Sequence, residues 1–219
     1  MPELSLPSKF FMLISSGSVI GLFFKVLPIA ILVAVVYAIY RCLKLKIRAI
    51  PFTLGSEIAR WVFVCYLTGL ICLLFVPQSI LGELYRYILF GWTDWEASRL
   101  QFFTFEFNLI PTAIKWLNGE ITIGSWVKTM LLGNLLMFVP MGVLLPIVIK
   151  KVNHRNIFAI SFFVPVAIEV LQPIVGRSFD IDDILMNFSG ILIGYCLYSA
   201  SKKFIKTVLS AQKSTKEYI

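Results

Sequence analysis

Five apolar runs divide the chain, at about 21–40, 58–76, 127–149, 157–175 and 184–201, and each is long enough to cross a bilayer as a helix. Pro77 stops the second run, because a proline cannot extend the backbone ladder of the helix it follows. Lys25 sits near one end of the first run, where its long stem is expected to reach the surface. Ahead of it, 10–18 reads either as an interfacial segment or as an extension of that run. The one long connection, 78–126, is rich in aromatic residues, among them Tyr85, Tyr87, Trp92, Trp95, Phe105 and Trp116. Such rings favour the headgroup level, and 81–90 reads as a short helix in that plane. The predicted fold class is all-α, a polytopic transmembrane helix bundle of about five spans. It divides into an N-terminal membrane helix and basic loop (1–57), a four-span domain (58–201) and a basic tail (202–219).

Composition agrees with a membrane protein. The chain is 58% hydrophobic and 15% charged, whereas a soluble domain is nearer half apolar and a quarter charged. Mean hydropathy is +0.86. The net charge of +8 does not mark a nucleic-acid partner: 13 of the 20 Lys and Arg fall in 41–60, 150–156 and 201–219, beside the apolar runs. Acids outnumber bases in 78–126 and 174–183. Placing the basic stretches in the cytoplasm and the acidic ones outside satisfies every connection, with the N-terminus out and the C-terminus in. The expected location is the bacterial cytoplasmic membrane. The four cysteines lie in or beside apolar runs without a CxxC pair, and read as small packing residues.

That topology gathers the conspicuous polar residues at one membrane face. Asn108 lies outside, in NLIP before the third run, and Asn134 enters that run from its outer end. Glu169 and Gln172, three apart, close the fourth run. Arg177, Asp180, Asp182 and Asp183 form the corner, and Asn187 begins the fifth run on the face of Asp180 and Asp183. Polar groups at membrane depth are costly and usually face a cavity or a partner.

These residues resemble a known family. Asn108-Leu109-Ile110-Pro111, Gly133-Asn134 with Phe138, Pro140 and Gly142, Glu169 with Gln172, and Gly176-Arg177 with Asp180, Asp183, Asn187 and Gly190 look, in that order, like the VanZ-like family of bacterial membrane proteins. The resemblance covers roughly 58–200, which leaves the first run outside it. It implies a polytopic membrane protein of Gram-positive type, and the name-giving member is associated with resistance to teicoplanin, a lipoglycopeptide that binds the cell-wall precursor.

Each polar residue also has a plain structural reading. Asp180 and Asp183 fit the N-cap and third position of the last helix. Arg177 can pair with Glu169 or Asp180, Asn134 can hydrogen-bond between helices, and Pro140, Pro146 and Pro165 fit kinks. The only histidine, His154, falls in a basic loop on the other side, and no HExxH, Walker loop or nucleophile elbow occurs. The remaining candidates are Asn108, Asn134, Glu169, Gln172, Arg177, Asp180, Asp183 and Asn187 as ligand-binding residues, with Glu169, Asp180 and Asp183 as the candidate catalytic carboxylates. The expected partners are membrane lipids and a lipid-linked cell-wall precursor, with Arg177 on phosphate and the carboxylates on amines or sugar hydroxyls. A divalent cation such as Mg²⁺ or Ca²⁺ is another candidate occupant. Two further readings stand beside this one: an intramembrane enzyme using carboxylate or metal-assisted chemistry, and a cation-coupled transporter or lipid translocator. The apolar inner halves of the runs count against a through-path.

Overall fold

The computed structural model describes residues 5–15, 19–48, 53–91, 102–103, 106–122 and 124–217. Within them the chain is almost wholly helical: α1 (Leu6–Ser15), α2 (Val19–Ile47), α3 (Leu54–Phe75), α4 (Gln78–Phe90), α5 (Thr112–Leu117), α6 (Ser125–Val148), α7 (His154–Leu171) and α8 (Ile181–Glu217). Two-residue strands, β1 (Phe107–Asn108) and β2 (Phe179–Asp180), pair with each other. Five helical stretches are long and apolar enough to cross a membrane: Gly21–Ile47, Leu54–Phe75, Val127–Val148, His154–Val175 and Ile181–Lys203. The protein is an all-α, multi-pass membrane protein. Trp92, Trp95 and Phe105 of the aromatic connection lie outside the described residues.

The chain forms two compact units. The first comprises Met1–Phe107 and Val170–Phe179, the second Asn108–Glu169 and Asp180–Ile219.

In the first unit α2 packs on α3, and α1 and α4 pack on each other and on α2. The segment ahead of the first span is thus a separate helix. Phe10 meets Tyr85 edge-on at 6.2 Å, Phe11 meets Phe90 at 5.5 Å, and Arg86 lies over the Phe11 ring. Leu81 and Tyr85, one turn apart on α4, are both buried. The Tyr85 hydroxyl donates to the Lys25 carbonyl at 2.7 Å. Lys25 does not reach the surface as expected: α1 and α4 cover that end of α2, and the residue is only 6% exposed. α2 runs on past position 40 through Arg41, Lys44 and Lys46, all residue types that favour helix. Pro77 ends the α3 stretch and becomes the N-cap of α4, and Gly91 closes α4 in the left-handed region at φ +72°.

In the second unit α6 and α8 run parallel and pack along their lengths. Their contact rests on three glycines. A Cβ on Gly142 would lie 2.7 Å from the Tyr195 backbone nitrogen, and one on Gly194 would lie 3.0 Å from the Gly142 Cα. A Cβ on Gly190 would run into the Leu135 carbonyl. Only glycine lets two backbones approach this closely, as in membrane helix pairs with small residues four apart. α7 packs on α8 through His154 against Tyr195 (5.2 Å between rings) and Phe158 against Phe188 (5.5 Å). Its buried residues are Ile157, Ser161, Pro165 and Glu169, a stripe of every fourth position. Pro173 cannot donate a hydrogen bond to the Glu169 carbonyl, so the α-ladder stops there. The backbone tightens into a 3-10 turn, Gln172–Val175, closed by Gly176 at φ +80°.

Candidate functional site

Six of the eight predicted ligand-binding residues fall in the second unit: Asn108, Asn134, Glu169, Asp180, Asp183 and Asn187. Glu169 occupies the last turn of α7 and is 0% exposed. A carboxylate there needs donors, since an unpaired buried charge is costly. One is the backbone N–H of Asp180, which reaches Glu169 Oε2 at 3.0 Å. Asp180 stands at the N-cap position of α8, and its Oδ1 accepts the Asp182 N–H at 2.9 Å. The Asn108 amide donates to Asp180 Oδ2 at 3.5 Å, a long contact. Asp183, in the first turn of α8, accepts from the Asn134 amide of α6. The third turn of α6 is thus tied to the N-terminal end of α8 by a side-chain pair across the parallel crossing. The first turn of α8 carries Asp182 and Asp183, where the positive end of the helix dipole favours carboxylates.

Asn187 lies one turn further along α8, on the face of Asp183, and is 2% exposed. Its Oδ1 is a buried acceptor without a hydrogen-bond partner among the described residues. Burial pushes the Asp180 carboxyl above the ordinary carboxylate range, and the Asp182 charge adds to the shift. The Asp182 N–H, the Asn108 amide and the Lys115 charge oppose it.

Gln172 and Arg177 belong to the first unit. Gln172 is buried in the 3-10 turn, and its carbonyl accepts the Arg177 N–H at 3.2 Å. The Arg177 Nη1 donates to the carbonyls of Leu73 (3.1 Å) and Leu74 (3.4 Å) in the last turn of α3. It thereby serves open carbonyls at the negative end of that helix. In the same unit Phe103, Phe107, Val170, Pro173, Ile174 and Phe179 line an apolar cavity of about 350 Å³.

Four residues that shape the site lay outside the predicted binding set. Asp182 is 5% exposed and accepts the Thr112 N–H at the start of α5 at 2.8 Å. The sequence signal was available, because Pro111 announces a helix start whose first N–H groups need acceptors. The Gly190–Gly194 pair, four apart in an apolar run, carried the usual spacing of a close membrane crossing. Lys115 gave no signal, because its nearness to Asp180 follows only from how α5 folds back. Among the described residues, no three His, Cys, Asp or Glu side chains come together as metal ligands would.

Comparison with known proteins adds one finding. A search of curated proteins and a search of solved structures each gave no match. A family model described as VanZ/LLP1 matches residues 63–205, from within α3 to within α8. That is well over half of the 219 residues, so the chain, a multi-pass membrane protein, belongs to the VanZ/LLP1 family.

Proposed function

We propose that this protein recognises the polar headgroup of an envelope lipid or lipid-linked cell-wall precursor at the cluster around Glu169, Asp180, Asp183 and Asn187, and thereby alters susceptibility to glycopeptides and lipoglycopeptides. The observation that carries the reading is the buried Asn187 Oδ1, without a hydrogen-bond partner among the described residues, one turn along α8 from Asp183 in the region where hydrogen bonds of Asp183 and Glu169 tie α6, α7 and α8. A cluster so rich in acceptors suits a ligand rich in donors, and sugar hydroxyls and ammonium groups are such donors. The charge pattern supports a location in the bacterial cytoplasmic membrane with this cluster on the outer face. Gln172 and Arg177 belong to the other unit, and the reading does not depend on them.

The test uses the near-isosteric variants Glu169→Gln, Asp180→Asn and Asp183→Asn, which keep a hydrogen-bond acceptor at each position while removing the charge. Expressed and inserted at normal levels, they should lose lipid-precursor binding and the susceptibility change together. Full binding and full resistance in all three would sink the proposal.

A second reading, an enzyme acting on a lipid or polyprenyl-phosphate headgroup by carboxylate acid/base chemistry, draws on the raised Asp180 pKa beside Glu169. Turnover of labelled lipid by purified protein, with and without EDTA, separates it from binding alone.

A further inference from the structure

A second cluster of charges lies in the first unit, where α2 ends and α3 begins. Arg41 grips Glu57 with two parallel hydrogen bonds, Nε to Oε2 at 2.9 Å and Nη2 to Oε1 at 3.0 Å. Arg60, one turn after Glu57, donates from Nη1 to the same Oε1. Glu57 is only 4% exposed. One carboxylate facing two guanidinium groups leaves a surplus positive charge in a part-buried place. Arg60 keeps 27% of its side-chain surface accessible and Arg41 15%, so the surplus can be approached from outside.

We infer that Arg41, Glu57 and Arg60 form a binding site for the phosphate of an anionic phospholipid. Glu57 is the positioning residue: its bidentate grip fixes the Arg41 fork and draws Arg60 into the same cluster. Depth favours a lipid over a soluble anion. Arg41 lies in the last two turns of the span Gly21–Ile47, and Glu57 and Arg60 lie in the first two turns of the span Leu54–Phe75. Tyr40 is 55% exposed and Trp61 41%, and amphipathic rings beside a charge cluster mark the boundary between headgroups and hydrocarbon. Basic side chains at such a boundary attract anionic headgroups.

The experiment uses the full chain reconstituted in nanodiscs of phosphatidylcholine with increasing phosphatidylglycerol, and counts bound phosphatidylglycerol by native mass spectrometry. Arg60→Gln removes the surplus charge and leaves the Arg41–Glu57 pair intact. It should lower phosphatidylglycerol affinity by about fivefold, the contribution of one basic side chain near an anionic surface, with the unfolding temperature in pure phosphatidylcholine unchanged. Arg60→Lys should lose less, and Lys46→Gln, at an exposed position further along α2, should lose nothing. Three results would overturn the inference. In the first, Arg60→Gln binds as the parent does. In the second, Lys46→Gln costs as much as Arg60→Gln, which means diffuse attraction only. In the third, inorganic phosphate in phosphatidylcholine discs stabilises the parent but not Arg60→Gln, which means a soluble anion is the occupant.

Discussion

Glu169 Oε2 accepts the backbone N–H of Asp180 at 3.0 Å, and so does from a neighbouring helix what a capping box does from within one. In that box the side chain at the third helical position reaches back to the N-cap N–H. Here that position is Asp183, whose carboxylate accepts from Asn134 of α6. The start of α8 is therefore set jointly by α6 and α7.

Removing the Glu169 acceptor should destabilise the fold more than removing its charge. Glu169→Ala leaves the Asp180 N–H unsatisfied and should cost about 1–3 kcal/mol, whereas Glu169→Gln keeps an acceptor and should cost distinctly less. Thermal unfolding in detergent, followed by tryptophan fluorescence, makes the comparison. Equal losses would mean that this hydrogen bond contributes nothing to stability.

Asp180 gives stability a pH dependence of definite sign. Burial raises its folded pKa above the unfolded value, so the folded protein holds the proton more tightly. Its contribution is fully present below the unfolded titration, declines from about pH 4 upward, and is gone once the pH has passed the raised folded value. Asp180→Asn cannot ionise, and its Oδ1 still suits the Asp182 N–H. Unfolding temperatures across this range should be flatter for the variant than for the parent.

The glycine crossing should be intolerant of even one methyl group. In Gly194→Ala the new Cβ meets the Val139 carbonyl and the Gly142 backbone, neither of which is a flexible side-chain end. A loss of about 1–3 kcal/mol is expected, the usual cost of overpacking. Gly133→Ala, where a Cβ meets nothing within 4 Å, is the matched control on the same helix pair. Steady-state yield and detergent melting of the two variants give the readout.

Asn187 should separate folding from function. Asn187→Leu removes a buried acceptor that has no partner among the described residues, which relieves a desolvation penalty of about 1–3 kcal/mol. The variant should melt at or above the parent temperature and yet lose headgroup binding. A function kept intact would make Asn187 a packing residue only.

The long apolar helices were legible because lipid imposes a length and a composition on any segment that crosses it. Asp180 was legible as a cap, since an acid three positions before another acid at the edge of an apolar run has few other local uses. What stayed hidden depended on partners distant in sequence. Lys25 looked like a surface lysine until α1 and α4 covered it. Arg177 invited pairing with Glu169 or Asp180, but the carbonyls at the end of α3 lie more than a hundred positions away and are silent in a sequence. α2 was expected to stop at the basic loop, and its extra turns were foreseeable only by matching Arg41 to Glu57.

The run between Glu169 and Asp180 leaves the second unit and comes back to it, with both ends pinned by one bond spanning 11 positions. Loop closure costs grow only slowly with length, so residues added to this run change little at its two anchored ends. The excursion itself is held as well, since Arg177 binds the carbonyls at the end of α3 and Gly176 closes the 3-10 turn, so an insertion there should leave the acidic knot intact only where it keeps these residues in place.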